Sequence, residues 1–153
     1  MNEKRIIAGY YWPSHWDIPG VPNSIWSEAF KEDYPDQVIE SPESEVILEG
    51  KKKYKLIIDY PLHNEFHMEF TTTESGLTRL QLAELVVKSY KFIYESEKKT
   101  STIKEDLIPG MLNRVTTNGD YGIWGHRLED LTIGYYFLNK SSNIIKITLS
   151  VDS

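Results

Sequence analysis

Between Asn113 and Leu131 the sequence reads NRVTTNGDYGIWGHRLEDL, with Gly119, Gly122 and Gly125 set three residues apart around Tyr121 and Trp124. Glycines at that spacing let a backbone bend closely, and the aromatic side chains between them offer flat surfaces on which a ligand or partner could stack. Asn113, Arg114, Asn118, His126, Arg127 and Asp130 supply the polar groups of such a site. In a catalytic version, His126 serves as general acid or base and Asp130 orients its ring. In a purely structural version, Trp124 plugs the core and His126 is held by the backbone or by Asp130. Both versions stay open on the sequence.

Other chemistries find less support. His63 and His67 are four residues apart, a spacing that suits a metal on a helix, but Asn64 stands where the HExxH pattern needs glutamate. Alternation around the pair points to a hairpin, with His63 in its loop and His67 on its polar face. Without cysteine, zinc would need His15, His63, His67, His126 and carboxylates from separate segments to converge, so no metal and no cofactor is expected. There is no Gly-x-Ser-x-Gly elbow, no phosphate-binding loop and no dinucleotide-binding glycine turn. Glu129 and Asp130 are adjacent and would point apart in extended chain, which leaves a glycosidase-like pair unsupported.

The run Tyr121-Gly122-Ile123-Trp124-Gly125-His126, then Asp130-Leu131 and a terminal hairpin ending in Asp152-Ser153, resembles a group of uncharacterised proteins of giant DNA viruses and protists. The likeness is confined to the C-terminal part of the chain, and Arg127 stands where that group would have an acidic residue. It implies a viral or protist origin and carries no mechanism.

Positioning these residues falls to a few elements. Thr78 followed by Gln81 reads as a capping box, and no glycine or proline interrupts the chain from there to Glu97. Gln81, Glu84, Lys88, Lys91 and Glu95 make one polar stripe on the helix this predicts. Apolar residues fill nearly all the remaining circumference, so the helix should be covered on more than one side, by a sheet and by the N-terminal loop or a second subunit.

Alternation over Tyr54–Leu62 and Phe66–Thr72 predicts a hairpin pairing Leu62 with Phe66 and Tyr60 with Met68, around the loop His63-Asn64-Glu65. Asn64 would supply its left-handed residue. A second hairpin sets Leu131, Ile133, Tyr135 and Phe137 against Val151, Leu149, Ile147 and Ile145. Short strands are expected at Val46–Leu48 and Arg5–Tyr11. The fold class is therefore α+β, a single domain over residues 1–153 with an antiparallel sheet of hairpins packed on one long helix.

Composition bounds the function. With 153 residues, 40% hydrophobic and 26% charged, the chain suits one globular domain. No apolar run approaches the ~20 residues that span a bilayer, and the N-terminus lacks a signal-peptide core. A cytoplasmic setting is expected, host cytoplasm or virion for a viral protein. Of the net charge of −6, the segment Asp17–Glu49 carries nine acidic residues against Lys31 alone. Such a segment repels phosphate backbones, so no nucleic-acid partner is expected. Lys51, Lys52, Lys53 and Lys55 read as a solvated hairpin end.

The aromatic run Tyr10-Tyr11-Trp12-Pro13-Ser14-His15-Trp16 fits a protein interface or a loop completing the core. The reading is a non-enzymatic interaction or structural protein with a protein partner or self-association. The alternative is a small enzyme or small-molecule-binding domain built on loop 113–131, with His126 and Asp130.

Overall fold

A computed structural model describes residues 3–11, 32–33, 35–37, 44–102, 106–107 and 115–151. Thr78 opens the long helix as expected. Its hydroxyl accepts from the Gln81 amide at 3.2 Å, and its own amide donates to Gln81 Oε1 at 2.9 Å. Satisfying two otherwise orphaned amides fixes where the first turn begins. The helix, α1, runs Arg79–Thr100, three residues beyond the limit read from the sequence. None of the helices among the described residues is long and apolar enough to cross a membrane.

The helix packs on a five-stranded sheet built from β1 (Glu3–Tyr11), β3 (Lys53–Ile58), β4 (Phe66–Thr71), β8 (Leu131–Asn139) and β9 (Ile144–Val151), in the order β1-β8-β9-β3-β4. Between β3 and β4 in sequence lies only a turn, and β2 (Val46–Leu48) precedes them. The pair β5 (Leu77–Thr78) and β2 forms a small second sheet, and β6 (Asp106–Leu107) with β7 (Val115–Thr116) forms another. The fold is α+β and the sheet mostly antiparallel. One pair, β3 with β9, is parallel, aligning Leu56 with Ile145. Helix α1, lying between the two strands in sequence, supplies the crossover that a parallel pair requires.

Leu82, Ala83, Val86, Val87, Tyr90, Ile93 and Tyr94 of α1 meet Tyr54, Leu56, Ile58, Tyr136, Ile145 and Ile147 of the sheet in one continuous core. The wide apolar face of the helix is only partly used by it. Leu80 and Leu85 are half-buried, and Phe92 is 57% exposed.

Both hairpin registers differ from those read from the sequence, each for a local reason. In the first, Ile58 pairs with Phe66 and Leu56 with Met68, a shift of four residues along the first strand. Pro61 has no amide hydrogen to give to a ladder, so β3 ends at Ile58 and residues 59–65 form a longer turn. Its Tyr60–Pro61 peptide is cis, and no residue of the turn, Asn64 included, is left-handed. In the second, Leu131 opposes Val151 and Ile133 opposes Leu149 as expected. A bulge at Gly134 then sets Tyr135 against Thr148. One extra residue exchanges the faces. Tyr136 and Leu138 enter the core, while Tyr135 turns outward beneath the Arg5 guanidinium, 4.9 Å from its ring.

The β1 edge is tied down by Arg79. This buried side chain donates from Nε to the Ile7 carbonyl at 2.8 Å and pairs with Glu45, whose carbonyl accepts the Arg79 amide. The basic cluster is a solvated, locally neutralised end, with Lys51 on Glu74, Lys52 on Glu49 and Lys53 on Glu69. Most of the aromatic and acidic N-terminal segment lies outside the described residues.

Candidate functional site

Val86, Tyr90 and Ile93 lie on the stripe of α1 that faces the core, and Glu97 is the next residue on that stripe. It is 1% exposed. A carboxylate buried there, beside the negative end of the helix dipole, requires several donors to stay charged. Loop 117–122 provides them. Oε1 accepts from the amides of Tyr121 at 2.6 Å and Gly122 at 3.1 Å. Oε2 accepts from the Gly119 amide at 2.9 Å and from the Thr117 hydroxyl. Burial alone would raise the pKa of Glu97, but the Thr117 hydroxyl and the three amides together outweigh it and hold the carboxyl below its ordinary value.

Two glycines of the loop permit its close packing. A side chain at Gly119 would place its first carbon 2.7 Å from Glu97 Oε1 and still closer to the Thr100 hydroxyl. Gly122 holds a φ of +68° against the His63 ring, a conformation glycine adopts without a Cβ penalty.

Further bonds fix the rest of the loop. Asn118 accepts from the Ser101 hydroxyl at 3.0 Å and the Thr102 amide at 2.8 Å, so it closes the C-terminus of α1. The Tyr121 carbonyl accepts from the amides of His63 and Asn64, and the Pro61 carbonyl accepts from Trp124 at 2.9 Å. Leu62, displaced from the first hairpin, bridges to Ile123 instead. Ile123 is the residue that plugs the core. Trp124, one position on, is 44% exposed, which corrects the reading of it as a core plug.

His126 is 4% exposed. Its Nε2 shares a 2.6 Å hydrogen bond with the hydroxyl of Tyr60, a residue 41% exposed, and its carbonyl accepts from Tyr94 at 2.9 Å. Tyr90 donates to the Tyr60 carbonyl at 3.0 Å, so two helix tyrosines hold both ends of the His126–Tyr60 pair. The Asp130 carboxylate accepts from the Arg127 amide at 3.3 Å, closing the turn Leu128–Asp130 ahead of β8. Arg127 and Asp130 are both half-buried.

Of the residues singled out from sequence, Asn118, Tyr121, Trp124, His126, Arg127 and Asp130 do fall in one structured loop. Asn113 and Arg114 lie outside the described residues. Sequence reasoning missed Glu97 and Tyr60. The signal for Glu97 was its position: counted from Val86, Tyr90 and Ile93 at helical spacing, a carboxylate falls on the core stripe rather than on the polar one. Nothing in the sequence pointed to Tyr60, because its role follows from the turn that Pro61 imposes.

His67 lies exposed on β4 and bonds Glu65 at 3.0 Å, apart from the loop. Among the described residues no three histidines, aspartates or glutamates gather as a metal site would need. Comparison with protein-family models, curated proteins and solved structures finds no match to this chain.

Proposed function

We propose that the protein is a non-enzymatic interaction protein that presents Trp124 to a protein partner. One observation carries this reading: a half-exposed tryptophan stands on a loop whose flanking amides are already committed to Glu97, the Thr117 hydroxyl and the Pro61 carbonyl. A large aromatic carried on a backbone already ordered by folding needs less ordering on binding, which favours an interface anchor. Neighbouring Tyr60 adds a second half-exposed ring. The viral or protist setting implied by the resemblance of the C-terminal part of the chain, from Tyr121 to the terminal hairpin, belongs to the same proposal, as does a cytoplasmic location.

The experiment is a comparison of wild type with Trp124→Ala. A side chain this exposed should cost less than about 1 kcal/mol on removal, against about 3–5 kcal/mol for a buried tryptophan. Used as baits on an extract of the native source, followed by titration of the purified partner, wild type should bind and the variant should not. Loss of stability together with retained binding would sink the proposal.

A second reading is favoured by the Tyr60–His126 pair. A phenol at the surface backed by a buried imidazole is the group that would meet a small polar ligand. The enzyme or ligand-binding alternative then rests on Tyr60 and His126 rather than on His126 and Asp130. Under it, Tyr60→Phe abolishes ligand binding while Trp124→Ala spares it.

A further inference from the structure

We propose that the chain forms a symmetric dimer by pairing β4 with β4 of a second copy, antiparallel, about a twofold axis through Met68. The strand β4 closes one end of the sheet order and pairs only with β3 among the described residues. An edge strand leaves its outer amides and carbonyls free to pair with another chain. At the opposite edge the comparable position is occupied, since the Ile7 carbonyl of β1 already accepts from Arg79.

The side chains of β4 alternate. Phe66, Met68 and Phe70 are half-buried on the helix side, and His67, Glu69 and Thr71 are exposed on the other. A twofold axis perpendicular to the sheet opposes residues of the same face, so it must pass through a residue. Through Glu69, the carboxylate would face its own copy and His67 would face Thr71. Through Met68, His67 faces Glu69 twice, Phe66 faces Phe70 twice, and Met68 meets itself. Glu69 already pairs with Lys53 and His67 with Glu65 within the chain, so the preference for Met68 rests on keeping the two Glu69 carboxylates apart while opposing Phe66 to Phe70.

The helix supplies a second observation. Phe92, exposed on α1, lies 6.1 Å ring to ring from Phe66. Bringing Phe70 of the second copy against Phe66 covers Phe92 from the open side. The apolar width of α1 that the core leaves unused is then buried between the two copies. Trp124 lies on neither β4 nor α1, although Tyr121 of its loop is 6.0 Å ring to ring from Phe66.

The test uses the full chain. Sedimentation velocity over a concentration series should show a reversible dimer, and a chain monomeric up to its solubility limit overturns the proposal. Because the sequence has no cysteine, Met68→Cys reports on this position alone. Opposed Cα atoms in an antiparallel pair lie about 4.5–5.5 Å apart, within disulfide reach. Under mild oxidation Met68→Cys should cross-link to a dimer. Glu69→Cys should not, since its copies would be two residues out of register and beyond about 7 Å.

Cross-linking of both variants alike, or of neither, overturns the register. His67→Glu should raise the dimer Kd about tenfold by opposing like charges twice, and adding Glu69→Lys should restore it. A dimer indifferent to these changes overturns the interface. Trp124→Ala should leave self-association unchanged, so the two proposals fail separately.

Discussion

Replacing Glu97 with glutamine keeps the shape of the side chain and removes its charge and one acceptor. In the wild type the two oxygens take three amide hydrogens and the Thr117 hydroxyl. In the variant one oxygen becomes an NH2 group that points its own hydrogens at donors. Whichever way the amide lies, at least one of the loop amides is left without an acceptor. An unsatisfied buried donor costs about 1–3 kcal/mol, and hydrogen bonds to a charged acceptor exceed neutral ones by about 1 kcal/mol. Together these give a loss of about 3 kcal/mol, read by urea denaturation with the slope unchanged. For a domain of this size that corresponds to a fall in Tm of about 6–12 °C.

The pH dependence gives an independent check. The folded carboxyl sits below its ordinary value of 4.5, so the folded state favours the ionised form. Its contribution is fully present above pH 4.5 and is lost as pH falls through the lowered folded value. Wild type should therefore lose stability more steeply than Glu97→Gln below pH 4.5, and the two curves should approach one another in acid. A variant within about 0.5 kcal/mol of wild type at neutral pH, or curves that stay parallel in acid, would show that the carboxylate does not hold the loop.

Gly119→Ala should destabilise by about 1–3 kcal/mol, because the added carbon meets both the Glu97 carboxylate and the Thr100 hydroxyl; a melting scan at neutral pH suffices to read it. Tyr60→Phe removes the hydroxyl that bonds His126 Nε2 and should cost about 1–2 kcal/mol in chemical denaturation, a neutral result implying that water takes over the bond. Treatment with EDTA should leave Tm unchanged, since among the described residues no cluster of three metal-ligating side chains occurs; a fall reversed by zinc would revive a metal site.

The parts of the fold that were legible in the sequence are those set by short-range rules. The start of α1 follows from the Thr78–Gln81 pair, and the first two pairs of the last hairpin, Leu131 with Val151 and Ile133 with Leu149, follow from alternation. The errors arose where one residue changes the geometry without changing the pattern. Gly134 bulges and exchanges the faces of β8 beyond it; Pro61 ends β3 four residues before alternation stops. Neither event alters the hydrophobic periodicity on which the expected registers rest. The glycines and aromatics of loop 113–131 are plain in the sequence, but the internal logic of its described part is not. Its organising group, Glu97, comes from the far end of the preceding helix, and only the folded chain brings carboxylate and amides together.

That arrangement also explains why an otherwise glycine-rich loop can carry a surface anchor. Three glycines in seven residues would ordinarily leave the backbone free to sample many conformations, at about 1–2 kcal/mol for each residue that binding then has to order. Here the ordering happens during folding. Glu97 gathers the amides of Gly119, Tyr121 and Gly122; His63, Asn64 and Pro61 fix the other side; and Ile123 is buried between them. Trp124 is left outside by the alternation that puts Ile123 inside. The same carboxylate that stabilises the fold therefore sets the position of the side chain proposed to meet a partner. Glu97→Gln should weaken partner binding even though Glu97 itself is buried.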